Sequence, residues 1–183
     1  ASTHDGEEKI ILQQFSKIKA QFNDCLLILA PRHHYRFAEV IKLCYEKKYH
    51  TVTRSSQKAC LDTTEVLIFD SIGELALCYA LSKIVFIGGS FVASGGHNML
   101  EAVAFKCSII SGKHVTNFQN IVNLLLQKQA IIILDNSEKL STTVIRLFLQ
   151  PQKQQQLACN AYQILDNNSV AIAKHLTIIN KYL

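Results

Sequence analysis

Six short apolar runs punctuate this chain, spaced so that a helix fits between most of them. They lie near residues 26–30, 50–54, 65–69, 84–87, 108–111 and 130–134. Runs of this length, rich in Ile, Val and Leu, are too short for helices. Most are continuous rather than alternating, which is how strands buried on both faces read. Between them, apolar residues recur at helical spacing. Alternating β and α elements of this kind predict an α/β domain, a doubly wound parallel sheet covered on both faces. Hydrophobic residues make up 49% of the 183 and charged residues 18%, enough apolar material for one full core and too little charge for disorder. The expected organisation is a single domain over 1–183 with a helical tail over about 151–183. A repeating βα chain ordinarily opens on a strand, whereas here a helix reaching about Phe22 comes first, after Ala1 and not Met. The pattern reads as one lobe of a longer enzyme.

Four of the seven glycines fall in one stretch, Ile84-Val-Phe-Ile-Gly-Gly-Ser90-Phe-Val-Ala-Ser-Gly-Gly-His97-Asn98-Met-Leu-Glu101. A strand passes through two Gly-Gly pairs and opens a helix. Unpaired N–H groups and the positive end of the helix dipole make such a turn an anion site. Asn98 and Glu101 have capping-box spacing. Glu101 can alternatively accept hydrogen bonds from two vicinal hydroxyls, as on a ribose, beside a phosphate held by the loop. Both readings stand at this level.

Other strand ends carry further candidates. Pro31-Arg32-His33-His34 follows the first strand, at the edge where open α/β sheets bind ligands. Asp70-Ser71-Ile72-Gly73-Glu74 follows the third, and Gly73 in the first turn of a helix suggests close approach of a ligand base. Asp5/Glu8, Ser71/Glu74 and Thr116/Gln119 also have capping-box spacing. Alternatively, His4 and Glu7 face a ligand or another lobe. Pro151 is expected to open a helix, Asp166–Ser169 to form a turn, and a last helix to reach about Tyr182.

Several chemistries are excluded. The glycines do not form G-x-G-x-x-G, and no lysine occupies a P-loop position. G-x-S-x-G is missing, so Ser90, Ser94 and His97 are not read as a hydrolase site. No residue group has metal-ligand spacing. The net charge of +5 is diffuse, without the basic stripe of a nucleic-acid binder. The six cysteines form no C-x-x-C pair and read as reduced thiols of a cytosolic protein.

Taken together, Ser2-Thr3-His4-x-Gly6-Glu7-Glu8, Pro31-Arg32-His33, Gly73-Glu74-Leu75, Gly88-Gly89-Ser90, Gly95-Gly96-His97-Asn98-x-Leu100-Glu101 and Asn117-Phe118 resemble the C-terminal half of the 3-deoxy-D-manno-octulosonic acid (Kdo) transferases of lipopolysaccharide biosynthesis. The resemblance implies one Rossmann-like lobe of a GT-B glycosyltransferase, binding the donor CMP-Kdo. The N-terminal lobe, absent here, would bind the lipid A precursor, meet the cytoplasmic face of the bacterial inner membrane and carry the catalytic base. The reaction would be an inverting, metal-independent displacement with no cofactor, and this lobe alone would be inactive. By the same resemblance Glu101 would bind the ribose. Ser90, Gly95, Gly96, His97 and Asn98 would surround the phosphate. Arg32, with Pro31 and His33, would face the nucleotide or the Kdo carboxylate. Ile72, Gly73 and Glu74 would lie against the cytosine, with His4 and Asn117 near Kdo or the lobe interface. Met99 departs from the family, which commonly has proline there. Two rival readings remain: the donor lobe of a GT-B enzyme or epimerase using a UDP-sugar, and a non-catalytic nucleotide-binding domain.

Overall fold

The computed structural model describes the backbone of residues 1–179 and side-chain surroundings through Asp166. The elements run α1 (Glu7–Lys19), β1 (Leu27–Leu29), α2 (Phe37–Glu46), β2 (Thr51–Thr53), β3 (Val66–Ile68), α3 (Leu75–Leu81), β4 (Ile84–Ile87), α4 (Leu100–Ala104), β5 (Ser108–Gly112), α5 (Gln119–Gln127), β6 (Ile131–Leu134), α6 (Lys139–Leu149) and α7 (Pro151–Ile179). All strand pairings are parallel, as expected, in two ladders of three strands. Their orders are β1-β3-β2 and β4-β5-β6.

Strand alternation divides the core. In β5, Ile109 enters one cluster with Val85, Ile87, Val103 and Leu125. Its neighbour Ile110 points the other way, into a cluster with Phe15, Leu29, Ile68 and Leu147. Helices cover both faces, so both side-chain sets of the strand must be apolar. Pro151 occupies the first position of α7, where its missing N–H costs nothing. The turn expected at Asp166–Ser169 does not form, because α7 runs through it. The expected helix end near Tyr182 lies outside the described residues. No helix among the described residues is long and apolar enough to cross a membrane.

The expected side-chain caps are corrected. Helix α1 starts after Gly6 with no side-chain cap, and Asp5 and Glu8 instead converge on Arg36. Glu8 is fully buried. It takes two bonds from Arg36 Nη1, at 2.8 and 2.9 Å, and one from Thr3 Oγ1 at 2.8 Å. Asp5 meets Arg36 Nη2 at 3.2 Å, and Glu39 lies 3.4 Å from Nε. The carboxylates that sequence spacing assigned to a helix start therefore tie α1 to α2. Helices α3 and α5 likewise lack side-chain caps, and Gly73 precedes α3 instead of lying in its first turn.

A buried ion pair loses more when one partner goes than when both do. Arg36→Met is expected to cost ~3–5 kcal/mol by urea denaturation, through the stranded Glu8 carboxylate. The double variant Arg36→Met/Glu8→Met should recover most of that loss.

Candidate functional site

The loops after β1, β3 and β4 emerge at the C-terminal ends of their strands. The glycine turn after β4 does bind an anion, but the anion is the protein's own. Glu7, with no exposed surface, reaches across from α1. Its Oε2 accepts from Gly89 N–H at 2.7 Å, and its Oε1 from Ser90 at 3.1 Å and Phe91 at 2.9 Å. His4 N–H adds a fourth bond at 2.9 Å. The first half of the turn is filled by this carboxylate. Ser90 is fully buried too. Its hydroxyl donates to Ile87 O at 2.5 Å and accepts from Gly112 N–H at 2.8 Å. Ser90 therefore shapes the loop from within and does not face a ligand, correcting the expectation that it cradles a phosphate.

The second half of the turn folds back over the first. Gly96 N–H donates to Gly89 O at 2.9 Å, and Asn117 Nδ2 to Ser94 O at 3.1 Å. At Gly95, where φ is +83°, a Cβ would stand 2.5 Å from Asn117 Nδ2. Only glycine fits there. Asn117 thus clamps the loop.

His97 is carried by this fold-back to His4, with the two Nε2 atoms 2.6 Å apart and the rings stacked. Such a contact needs one donor and one acceptor, so the pair shares a proton and cannot hold two facing ones. Ser94 Oγ lies 3.4 Å from His4 Nδ1. His33 packs edge-on against His4 and stacks on Tyr35. Burial pushes His97 down to about 4, helped by the positive fields of His4 and Arg32. Burial lowers His4 as well, opposed chiefly by Glu7. Both imidazoles are neutral at pH 7.

Arg32 is exposed, and among the described residues no carboxylate lies within 4.0 Å of it. It lines a cleft of about 100 Å³ with Pro31, Ser71, Ile72 and Gly73. Ile72 is 80% exposed at its rim. Glu74 is taken up elsewhere: Arg54 Nη2 holds its Oε1 at 2.9 Å and Ser71 Oγ its Oε2 at 2.5 Å. The Ser71 bond, then Arg54, lowers its carboxyl below the usual range. Helix α4 is only five residues long, with Met99 at its N-cap position. Asn98 Oδ1 accepts from Leu100 N–H at 3.0 Å, but Glu101 returns no bond to Asn98. The expected capping box is not formed, since α4 has no side-chain cap, and Glu101 keeps an exposed carboxylate.

The structure thus joins Arg32 to Ile72 and Gly73, and His4 to His33, His97 and the loop that Asn117 clamps. Sequence reasoning missed the loop-filling role of Glu7, the Arg54–Glu74 pair and the Arg36 cluster. Glu7 and Glu8 at a helix start were a signal, but spacing alone cannot tell an exposed cap from a buried long-range ligand. Chemically, the region offers the exposed Arg32 guanidinium at the crevice, the neutral His4–His97 pair beside the glycine turn, and an exposed carboxylate at the start of α4. That set suits an anionic ligand that also carries hydroxyl groups.

Over its whole length the chain is 37% identical to the 3-deoxy-D-manno-octulosonic acid transferase of Haemophilus influenzae and 35% identical to that of Rickettsia felis. It spans 43% and 40% of these relatives' own lengths. Among solved structures it is similar to the C-terminal CMP-Kdo binding domain of WaaA from Acinetobacter baumannii, with 33% identity and a TM-score of 0.86 over 90% of this chain and 86% of that one. The C-terminal domain of a group 1 glycosyl transferase (LpcC) from Francisella tularensis shares the fold, at 16% identity and a TM-score of 0.58 over 88% of this chain and 78% of that one. No family model matches the chain.

Two outcomes follow from the geometry. Glu7→Gln keeps the shape but loses the charge that three loop N–H groups share, and should cost ~2–4 kcal/mol in urea denaturation. The histidine pair predicts acid sensitivity. His97 binds its proton at about 4 folded and near 6.5 unfolded, so protonation favours the unfolded chain. Its contribution to stability is intact above 6.5, declines as pH falls toward 4, and levels off below. Stability measured against pH should show a shallower decline over that window in His97→Gln.

Proposed function

The chain belongs to the 3-deoxy-D-manno-octulosonic acid transferase family, matching its C-terminal domain, and on that premise we propose that it binds CMP-Kdo as the donor half of a Kdo transferase. The observation that carries this reading is its likeness, over nine-tenths of its length, to a CMP-Kdo binding domain. The crevice supports it. Arg32 is the free cation for the nucleotide phosphate or the Kdo carboxylate. Ile72 and Gly73 offer an apolar rim to the cytosine. Glu101 is an exposed acceptor for the ribose hydroxyls. Gly95, Gly96 and Asn98 border the phosphate, with the neutral His4–His97 pair beside it.

In this reading the reaction displaces CMP from the Kdo anomeric carbon by a hydroxyl of a lipid A precursor, with inversion. The donor lobe stabilises the departing phosphate electrostatically, without a metal. The base, the acceptor site and the attachment to the cytoplasmic face of the inner membrane belong to the preceding lobe. The 183 residues alone bind donor without transferring it.

Calorimetric titration with CMP and with UDP tests the proposal. CMP should bind and UDP should not. Arg32→Ala should weaken CMP binding by ~10–100-fold, the loss of a charge-assisted contact. Preference for UDP would overturn the Kdo reading.

A further inference from the structure

The cleft beside Arg32 lies between two loops. Pro31 and Arg32 form one wall, on the loop after β1, and Ser71, Ile72 and Gly73 form the other, on the loop after β3. In the order β1-β3-β2, strand β2 stands on the far side of β3. The tight turn that follows β2, Arg54–Ser56, therefore backs the second wall from behind.

That wall has little of its own to hold it. Ile72 is exposed. At Gly73, where φ is +85°, nothing lies within 4 Å of the place a Cβ would take. Among the described residues, Ser71, Ile72 and Gly73 make no backbone hydrogen bond to another loop. What fixes the wall is the side chains at its two ends, and both reach the turn behind. Asp70, at one end, accepts from Ser55 N–H at 2.8 Å and from the Ser55 hydroxyl. Glu74, at the other end, accepts from Arg54 Nη2 at 2.9 Å. Its second oxygen takes the Ser71 hydroxyl at 2.5 Å, which closes the loop on itself. The turn is pinned in its own right: Ser56 Oγ donates to Thr53 O at 2.7 Å, and Gln57 N–H to Arg54 O at 3.2 Å.

A part-exposed ion pair such as Arg54–Glu74 adds little to folding stability. Its contribution, with Ser55–Asp70, is geometric: two fixed points on either side of Ser71, Ile72 and Gly73. We propose that Arg54 is a positioning residue for nucleobase binding: through Glu74, and with Ser55 on Asp70, it holds Ile72 and Gly73 as a preformed wall of the cleft. On the donor reading, which this role depends on, that wall meets the cytosine. Arg54 stands behind it and touches no ligand. A loop ordered before binding need not be ordered by the ligand, which favours affinity. Loss of the latch should therefore weaken the part of binding that comes from the base. The part that comes from the sugar phosphate, held on the side of Arg32 and the glycine turn, should be kept.

NMR titration of the protein with CMP and with ribose 5-phosphate separates the two parts. Arg54→Ala should weaken CMP binding by about tenfold and leave ribose 5-phosphate binding unchanged. Arg54→Lys, which keeps a cation in reach of one carboxylate oxygen, should restore most of the CMP affinity. The double variant Arg54→Ala/Glu74→Ala should cost no more than Glu74→Ala alone, because both changes break one latch. Should Arg54→Ala fail to fold, Ser55→Ala, which removes the hydroxyl bond to Asp70, carries the same comparison: weaker CMP and unchanged ribose 5-phosphate. The role is overturned if Arg54→Ala binds CMP as the wild type does, if it loses CMP and ribose 5-phosphate in equal measure, or if its cost adds in full to that of Glu74→Ala. A wild-type protein that does not prefer CMP to ribose 5-phosphate overturns the donor reading and this role with it. A wild type and an Arg54→Ala variant that prefer CMP equally overturn this role alone.

Discussion

The grip of three consecutive loop N–H groups on the Glu7 carboxylate is the contact around which this domain is arranged. Glu7 starts the helix of the first half, and Gly89, Ser90 and Phe91 belong to the second. A buried carboxylate is tolerable only when its lone pairs are met. Here the loop meets three demands and His4 a fourth. The exchange is mutual, because a glycine turn with unpaired N–H groups cannot be buried without an acceptor. One interaction satisfies both and fixes the two halves to each other. It also sets the position of His4, three residues before Glu7, and so the place where His97 can stack.

The strands were legible in the sequence because a parallel strand must be apolar on both faces, and β-branched runs have few other uses. The start of α7 was legible for a similar reason, since Pro151 is well placed only in a first turn. The caps were not legible. Asp5, Glu8 and Ser71 stand at cap-like spacings, yet their partners are Arg36 and Glu74, and sequence separation hides the former contact. The turn at Asp166–Ser169 failed for a related reason: a polar cluster lowers helix propensity only slightly, and the helix continues through it. The family resemblance, resting on motif order, held where single-motif physics did not.

Arg32 and Arg36 show the same limit within one turn of chain. Both lie in a basic, polar stretch after β1, and nothing local separates them. Arg36 is buried against Glu8 and supported by Asp5 and Glu39. Arg32 projects from the strand end with no carboxylate near it among the described residues. One guanidinium is consumed by the fold and the other stays exposed at the strand end. Only tertiary structure decides which.

The position of the crevice follows from topology. Connections from β1 lead outward to β3 and β2, while those from β4 lead the other way, to β5 and β6. The loops after β1 and β4 must therefore part at the C-terminal edge of the sheet, which is where open α/β folds hold ligands. Arg32 rides on one departing loop and His97 on the other. His4 stands on the segment between them, tied below to both ladders through Ala1 and Thr3. Charge is then distributed unevenly across the opening. The cation on one side is free, the histidines on the seam are kept neutral by burial, and the acid beneath the glycine turn is already satisfied. An anion entering beside Arg32 thus meets a positive group that no carboxylate among the described residues has neutralised.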